Sequence, residues 1–180
     1  FQDALDQGLL GSPLGRALPF ALMWANRMPR RVLPVRRADL PVIEADRLVP
    51  TDEEDFVQLI AHLGERYLWR DNYLRVDGKL YFSIFDTTFF LRELGLGGAQ
   101  GAIAAARAWL RRAGLGELHL AAIEPATDLG PRLRELGFDS VTNYVLLPEW
   151  KGPFLQDYGA CAARRAAEWE GLGRAAGLPY

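Results

Sequence analysis

The 180 residues of the chain are enough for one domain of ordinary size and too few for two sizeable cores. Hydrophobic residues make up 49% and charged residues 24%, a balance that excludes a disordered or fibrous protein. The formal net charge of −2 lacks the basic excess that a nucleic-acid backbone or an anionic membrane attracts, so we expect no nucleic acid as a partner. One cysteine and two histidines exclude a disulfide framework and a structural zinc site, and we expect no metal.

Hydropathy and the two ends of the chain indicate whether the protein enters a membrane and whether the domain is complete. The longest apolar run, near residues 18–25, falls well short of the roughly 20 residues that a membrane-spanning helix needs, so we expect a soluble domain without membrane insertion. The chain begins at Phe1 without a leader, and residues 177–180 resemble the approach to another strand. We therefore expect residues 1–180 to form a single domain that continues beyond Tyr180. The single cysteine is compatible with the cytoplasm, but the sequence leaves the compartment and the oligomeric state open.

Predicted helices and strands alternate along the chain. Short, nearly continuous apolar runs indicate strands buried on both faces, and apolar residues at helical spacing indicate the helices between them. In chain order the predictions are a helix over 1–10, a strand over 20–25, a helix over 51–63, strands over 73–76 and 80–85, a helix over 102–113, a strand over 118–123, a helix over 129–136, a strand over 140–146 and a helix over 158–176. This order predicts an α/β fold in which parallel strands alternate with helices.

Local signals support two of these elements. Thr51 and Glu54 have the spacing of a capping box, which places a helix start there. Asp77 and Gly78 separate two apolar runs, and Asp-Gly at that position predicts a β-hairpin insertion.

Glycine and proline predict irregular segments. Residues 27–50 hold four prolines without periodicity and predict a long loop, either functional or a stiff surface excursion. Four glycines within 95–101 predict a loop and cap ahead of the following helix. Gly171 and Gly173 predict that the last helix is broken or frayed.

Polar residues close the predicted strands, and in βα proteins the functional site gathers at the carboxyl ends of the strands. These residues are Asn26, Asp86, Glu124, Asn143 and Tyr144. Together with the indole of Trp24 they offer carboxylate, carboxamide and phenol groups and an aromatic face, which suit the hydroxyls and the apolar face of a sugar. The sequence therefore predicts a carbohydrate-binding rim.

Each rim residue also has a purely structural interpretation. Asp86 could cap the turn that follows it, Glu124 before Pro125 could mark a strand end, and Asn143 could satisfy loose backbone groups. The residues alone leave the structural and the binding interpretations open.

Motifs for rival chemistries do not occur. The sequence has no nucleophile elbow, Walker loop or GxGxxG after a strand, so we expect no cofactor. His62 is predicted on the surface, and His119 is predicted to be packed or to line a pocket. Cys161 among alanines is predicted to be a small core residue.

Two segments of the chain carry a family resemblance. Phe-Ala-Leu-Met-Trp-Ala-Asn at 20–26 and Tyr-Leu-Arg-Val-Asp-Gly-Lys-Leu-Tyr-Phe-Ser-Ile-Phe at 73–85 resemble the glycoside hydrolase family 99-like domains of bacterial polysaccharide clusters, some of which are described as lipopolysaccharide-biosynthesis glycosyltransferases. The resemblance implies a (β/α)8 TIM barrel, of which this chain is a partial stretch. It also implies glycoside hydrolase activity on a polysaccharide or oligosaccharide, with endo-acting mannosidases as relatives and a mannose-containing substrate.

The chain departs from the family pattern at two places. Arg27 and Met28 follow Asn26, where the family has a glutamate and then a tryptophan. The paired catalytic glutamates, in an Asn-Glu-Trp-x-Glu type motif, are also absent, since Pro148-Glu149-Trp150 has one glutamate. We therefore expect the catalytic pair beyond Tyr180. Two alternatives remain: a non-catalytic carbohydrate-binding or polysaccharide-assembly protein on the same barrel, and an enzyme that uses Asp86 and Glu124 as its acid and base.

Overall fold

The computed structural model describes residues 4–26, 51–123, 129–144 and 152–180, so the predicted loop over 27–50 lies outside the described residues. In chain order the elements are a π-helical segment Ala4–Leu9, α1 Pro13–Ala17, β1 Leu22–Trp24, α2 Glu53–Leu63, a π-helical segment Gly64–Leu68, β2 Arg75–Val76, β3 Lys79–Ile84, α3 Thr87–Arg112, β4 Leu118–Ile123, α4 Gly130–Leu136, β5 Ser140–Thr142 and α5 Tyr158–Ala176. The predicted alternation is confirmed, and α1 is an addition that the sequence analysis missed.

The strands of the described ranges form one sheet. Its order is β1-β3-β4-β5 with every pair parallel, and β2 lies antiparallel beside β3. Because the spatial order follows the chain order, each crossover steps in the same direction, and right-handed crossovers then place the connecting helices on one face. This confirms the α/β class and is consistent with part of a (β/α)8 barrel. Across the described residues the sheet is not closed, and β1 and β5 are its edges.

The hydrophobic core lies between the sheet and the helix layer. Its largest fully buried side chains are Phe56, Phe82, Phe90, Ile60, Leu68, Leu80, Ile84, Ile103, Leu110, Leu118, Leu120 and Leu133. Burying each such side chain stabilises the fold by about 1.5–3 kcal/mol. Phe82 and Ile84 of β3 face this core, so the alternate residues Tyr81 and Ser83 face the opposite side of the sheet.

The hairpin between β2 and β3 forms at the predicted turn. Asp77 has φ 49° and Gly78 has φ 77°, and two successive positive φ values are the requirement of a type I′ turn. Glycine adopts this conformation without strain and aspartate tolerates it. The prediction of a hairpin at Asp-Gly is therefore confirmed.

The capping box of α2 lies one residue later than predicted. Asp52, not Thr51, is the N-cap, and its Oδ1 accepts the Asp55 N–H at 2.8 Å while the Asp55 carboxylate accepts the Asp52 N–H at 3.1 Å. Two adjacent residues of capping type made the sequence signal ambiguous by one position. The helix itself is confirmed.

The predicted loop over 95–101 is wrong except at Gly95, because residues 96–101 are helical. Gly95 has φ 68° and ψ 168° and kinks the helix, which then resumes to Arg112. Two of the remaining glycines lie close to the Glu53 side chain. A Cβ added to Gly98 would lie 3.2 Å from a carboxylate oxygen of Glu53, and one added to Gly101 would lie 2.9 Å from the other. The glycines therefore allow the start of α2 to lie close against α3.

The last helix is continuous, so the predicted break at Gly171 and Gly173 is wrong. α5 ends at Gly177 in the left-handed conformation, which is the usual glycine C-cap. Beyond it the carbonyl of Pro179 accepts the Val141 N–H at 2.9 Å. The backbone after α5 is thus hydrogen-bonded to β5 at this position.

Candidate functional site

The carboxyl ends of the parallel strands lie at one edge of the sheet. Asn26 follows β1, Asp86 follows β3 and Asn143 follows β5, so the structure places these three predicted rim residues at the same edge. Glu124, which follows β4 in the sequence, lies outside the described residues. We call Asn26, Asp86, Glu124, Asn143 and Tyr144 the rim.

Asn26 joins the ends of two neighbouring strands. Its Nδ2 donates to the Asp86 carbonyl at 2.9 Å, and its Oδ1 accepts the Asp86 N–H at 2.8 Å. The side chain is buried, and this paired arrangement copies the hydrogen bonding of a strand. Asn26 therefore fixes the backbone of Asp86 relative to β1.

Asp86 is the N-cap of α3. Its Oδ1 accepts the Phe89 N–H at 2.8 Å, and its carbonyl accepts the Phe90 N–H at 3.0 Å. The half-buried carboxylate therefore sits at a helix N-terminus, where the backbone amides favour a negative charge. The structural interpretation of Asp86 as a cap is confirmed, and its contact with a sugar stays a prediction.

Trp24 faces the helix layer. Its ring centroid lies 5.8 Å from that of Phe56 and 6.0 Å from that of Phe90, because Trp24 is in register with the core residue Ile84. The indole also forms one wall of a cavity of about 300 Å³, which is lined by Leu5, Leu22, Met23, Leu59, His62, Leu63, Tyr67 and Phe82 as well. Trp24 thus lines an apolar cavity on the helix side of β1.

An aromatic pair stands at the rim. The Tyr144 ring is 52% exposed, and the Phe85 ring meets it edge-on with 4.6 Å between centroids. Phe85 follows β3 and Tyr144 follows β5, so the two rings meet from the strands on either side of β4. The sequence analysis selected Tyr144 and missed Phe85, which reads as an ordinary apolar residue closing a strand.

The face of the sheet opposite the core carries a polar cluster that the sequence analysis did not assemble. His119 Nε2 lies 2.9 Å from Ser140 Oγ, and the imidazole stacks on Tyr81 with 5.7 Å between ring centroids. His119 is 8% exposed, which confirms the prediction of a packed histidine. The strand register, which pairs Tyr81 with His119, is the signal that would have found the cluster.

Burial of His119 makes stability depend on pH. Burial lowers the pKa of His119 from its ordinary 6.5, and the nearby Asp139 carboxylate acts in the opposite direction. The unfolded chain therefore binds more protons between the folded pKa and 6.5, so the free energy of unfolding rises with pH through that window. We expect Tm to fall as pH drops below about 6.5, and His119→Gln to flatten the curve. Thermal melts between about pH 5 and 7.5 check this; an unchanged slope in His119→Gln, with exposed His62→Gln as control, contradicts it.

Two features are absent from residues 4–26, 51–123, 129–144 and 152–180. Among those residues no group of three or more His, Cys, Asp or Glu side chains is placed to hold a metal ion. No helix there is long and apolar enough to cross a membrane.

Comparison with known proteins identifies the family. The family model described as Glycosyltransferase WbsX matches residues 12–161. The chain belongs to this glycosyltransferase WbsX family. The match confirms that the family is related to carbohydrates, as the sequence predicted. It does not distinguish hydrolysis, glycosyl transfer and binding without catalysis. No solved structure matches the chain significantly.

Two curated relatives of the chain carry the same name. Both are uncharacterized proteins WxcX, from Xanthomonas campestris pv. campestris strains B100 and ATCC 33913, and each is 30% identical over 127 residues. The matched region is 71% of this chain and 16% of each relative. The chain therefore spans a small part of the length of these relatives.

Proposed function

We propose that the chain is part of a carbohydrate-active enzyme whose rim binds a sugar unit of an oligosaccharide or polysaccharide. The observation that carries this proposal is the half-exposed Tyr144 ring, held edge-on by Phe85 at 4.6 Å at the sheet edge where Asp86 also stands. Membership of the WbsX family supports the same substrate class. The carboxyl edge is where barrel enzymes of this architecture bind their substrates.

The rim groups have complementary tasks in this proposal. Tyr144 offers its ring to the apolar face of a sugar, and Asp86 accepts hydrogen bonds from hydroxyl groups. Asn26 acts through Asp86, because its carboxamide holds both backbone groups of that residue. Asn143 and Glu124 follow the remaining strands and would extend the hydrogen-bonding edge. A mannose-containing glycan is the substrate that the resemblance implies.

The reaction that we propose is hydrolysis of a glycosidic bond. Glycoside hydrolases use two carboxyl groups, one as acid and the other as base or nucleophile. The 180 residues lack the paired-glutamate motif of the resembling family, and the matched relatives are much longer than this chain. We therefore place the catalytic pair outside these residues, with the rim serving as a binding subsite of a larger (β/α)8 barrel.

Glycosyl transfer is the second candidate, and the description of the matching family favours it. The two reactions differ in what they consume. A hydrolase releases new reducing ends from the glycan alone, whereas a transferase changes the glycan only when an activated sugar donor is present. Incubating the full-length protein with mannose-containing oligosaccharides, with and without sugar nucleotides, and separating the products distinguishes them.

Tyr144→Ala should weaken glycan binding about 3-fold to 10-fold, because one stacked ring contributes about 0.5–1.5 kcal/mol. Its Tm should stay within about 2 °C of wild type, since the ring is half exposed and surface substitutions change stability by less than about 0.5 kcal/mol. Isothermal titration calorimetry of the full-length protein with a panel of mannose-containing oligosaccharides measures this.

Tyr158→Ala is the control for that titration, because Tyr158 is a 75% exposed tyrosine that does not belong to the rim. It should bind like wild type. Equal affinities for Tyr144→Ala and wild type would remove the aromatic part of the proposed subsite.

A further inference from the structure

A second exposed aromatic residue lies at the opposite edge of the sheet. Trp69 follows the π-helical segment that extends α2, and in a βα unit the helix returns the chain from the carboxyl edge to the amino edge of the sheet. Four residues later Tyr73 pairs with Phe20, just before β1 begins. Trp69 therefore stands at the amino edge, away from the rim.

The indole of Trp69 is held in place without a ligand. Its ring is 55% exposed, and its Nε1 donates to the Glu65 carbonyl at 3.1 Å. The Arg70 guanidinium lies over the ring, with 5.0 Å between Cζ and the ring centroid. Hydrogen bonds from Arg70 N to Tyr67 O at 3.1 Å and from Tyr73 N to Arg70 O at 3.0 Å fix the backbone on both sides. The platform is thus pre-organised, which lowers the entropic cost of binding.

The Arg70 side chain is partly exposed, and its guanidinium offers N–H donors beside the indole. Its Nε is buried and has no hydrogen-bond partner, a rare condition for a buried donor. The exposed Asp71 stands next to it and can accept hydrogen bonds. An aromatic face with a guanidinium donor and a carboxylate acceptor beside it is the combination that binds one sugar ring, through stacking and hydroxyl contacts.

We propose that Trp69 and Arg70 form a second glycan-contact site, at the amino edge of the sheet, for the same polysaccharide that the rim binds. This inference rests on the proposed function. A protein partner would need about 800 Å² of buried surface on each side, whereas one fixed indole among charged residues matches the size of a single sugar unit. A polymer that contacts both edges would bind more tightly than a short oligosaccharide, because the second contact becomes intramolecular.

Affinity electrophoresis of the full-length protein in gels that contain mannan or a polyuronate tests the site. Trp69→Ala should weaken retardation by at least one of these polymers about 3-fold to 10-fold, and Trp69→Tyr should restore most of it. Phe154→Ala, which removes a 99% exposed aromatic ring, should behave like wild type. Thermal melts of each variant show that the comparison is made between folded proteins, with Trp69→Tyr covering the case in which Trp69→Ala unfolds.

The outcomes separate the second site from the rim. Loss of polymer binding in Trp69→Ala together with a separate loss in Tyr144→Ala supports two sites. A larger loss in Arg70→Ala on polyuronate than on mannan also supports the site and indicates that Arg70 contacts a sugar carboxylate. Wild-type retardation in both Trp69→Ala and Trp69→Tyr, with a loss in Tyr144→Ala, overturns the second site and leaves the rim proposal standing. A wild-type protein that neither polymer retards overturns the second site, and the oligosaccharide titrations then decide the rim separately.

Discussion

Asp139→Ala is expected to lower Tm by about 6–12 °C, since a loss of about 3 kcal/mol shifts Tm by about 2–4 °C per kcal/mol in a chain of this size. The Asp139 carboxylate accepts from Arg107 at 2.6 Å, from Lys79 at 3.2 Å and from the Leu120 N–H at 2.9 Å. It thereby joins α3 and the starts of β3 and β5 to β4. Removing it leaves the Arg107 guanidinium, whose side chain is 21% exposed, without its partner charge, and breaking a largely buried pair is strongly destabilising.

Glu117→Ala is the matched control for Asp139→Ala. Glu117 also pairs with an arginine, Arg111, but both side chains are about half exposed at 46% and 53%. Exposed pairs contribute about 0–1 kcal/mol, so Tm should change by no more than about 4 °C. Differential scanning calorimetry of both variants measures the contrast, and similar small shifts in the two would show that Asp139 does not hold the strand starts together.

Asn26→Ala is expected to destabilise the fold by about 2–3 kcal/mol, which corresponds to a fall in Tm of about 4–12 °C. The substitution removes the hydrogen bonds at 2.8 and 2.9 Å that Asn26 makes to the Asp86 N–H and carbonyl. The N–H loses this partner, whereas the carbonyl keeps the Phe90 N–H at 3.0 Å. The site is buried, so water replaces these bonds poorly. Denaturant unfolding at constant pH gives the free energy of unfolding directly.

Asn143→Ala serves as the control at the same sheet edge. Asn143 is only partly buried and its backbone amide, not its side chain, donates to Tyr180 Oη at 3.3 Å. The backbone donor survives the substitution, so unfolding should change by less than about 0.5 kcal/mol. If Asn26→Ala and Asn143→Ala unfold at the same denaturant concentration, the Asn26 bridge between β1 and β3 does not contribute to stability.

Much of the fold follows from local sequence signals. The apolar run Leu118–Ile123 predicted the bounds of β4 correctly, and Asp77-Gly78 predicted the hairpin. Both signals depend only on residues that are neighbours in the chain. Gly98 and Gly101 of α3 suggested a loop, whereas in the structure they make room for the Glu53 side chain. Glycine disfavours a helix locally, but this local preference does not show where α2 packs closely against α3. Helix α1 was missed for its length of five residues.

The position of the candidate site could be predicted from the sequence, but the contacts between its residues could not. Strand-end placement located Asn26, Asp86 and Asn143 at one edge, since that rule depends only on the alternation of strands and helices. The bridge from Asn26 to Asp86 joins residues 60 positions apart, and the ring contact of Phe85 with Tyr144 depends on the strand order. Such pairs require the register of the sheet, which a single sequence does not contain.

Calorimetric titration of Asp86→Asn with mannose-containing oligosaccharides tests the central claim, that the rim binds a glycan. Asparagine caps a helix about as well as aspartate, so this substitution removes the charge and keeps α3. Asp157→Asn is the control, because Asp157 caps α5 in the same way through the Ala160 N–H at 2.7 Å. We expect Asp86→Asn to keep the wild-type Tm and to lose about 5-fold to 150-fold in affinity, the equivalent of about 1–3 kcal/mol. Wild-type affinity in Asp86→Asn would contradict the account and leave Asp86 as a helix cap alone.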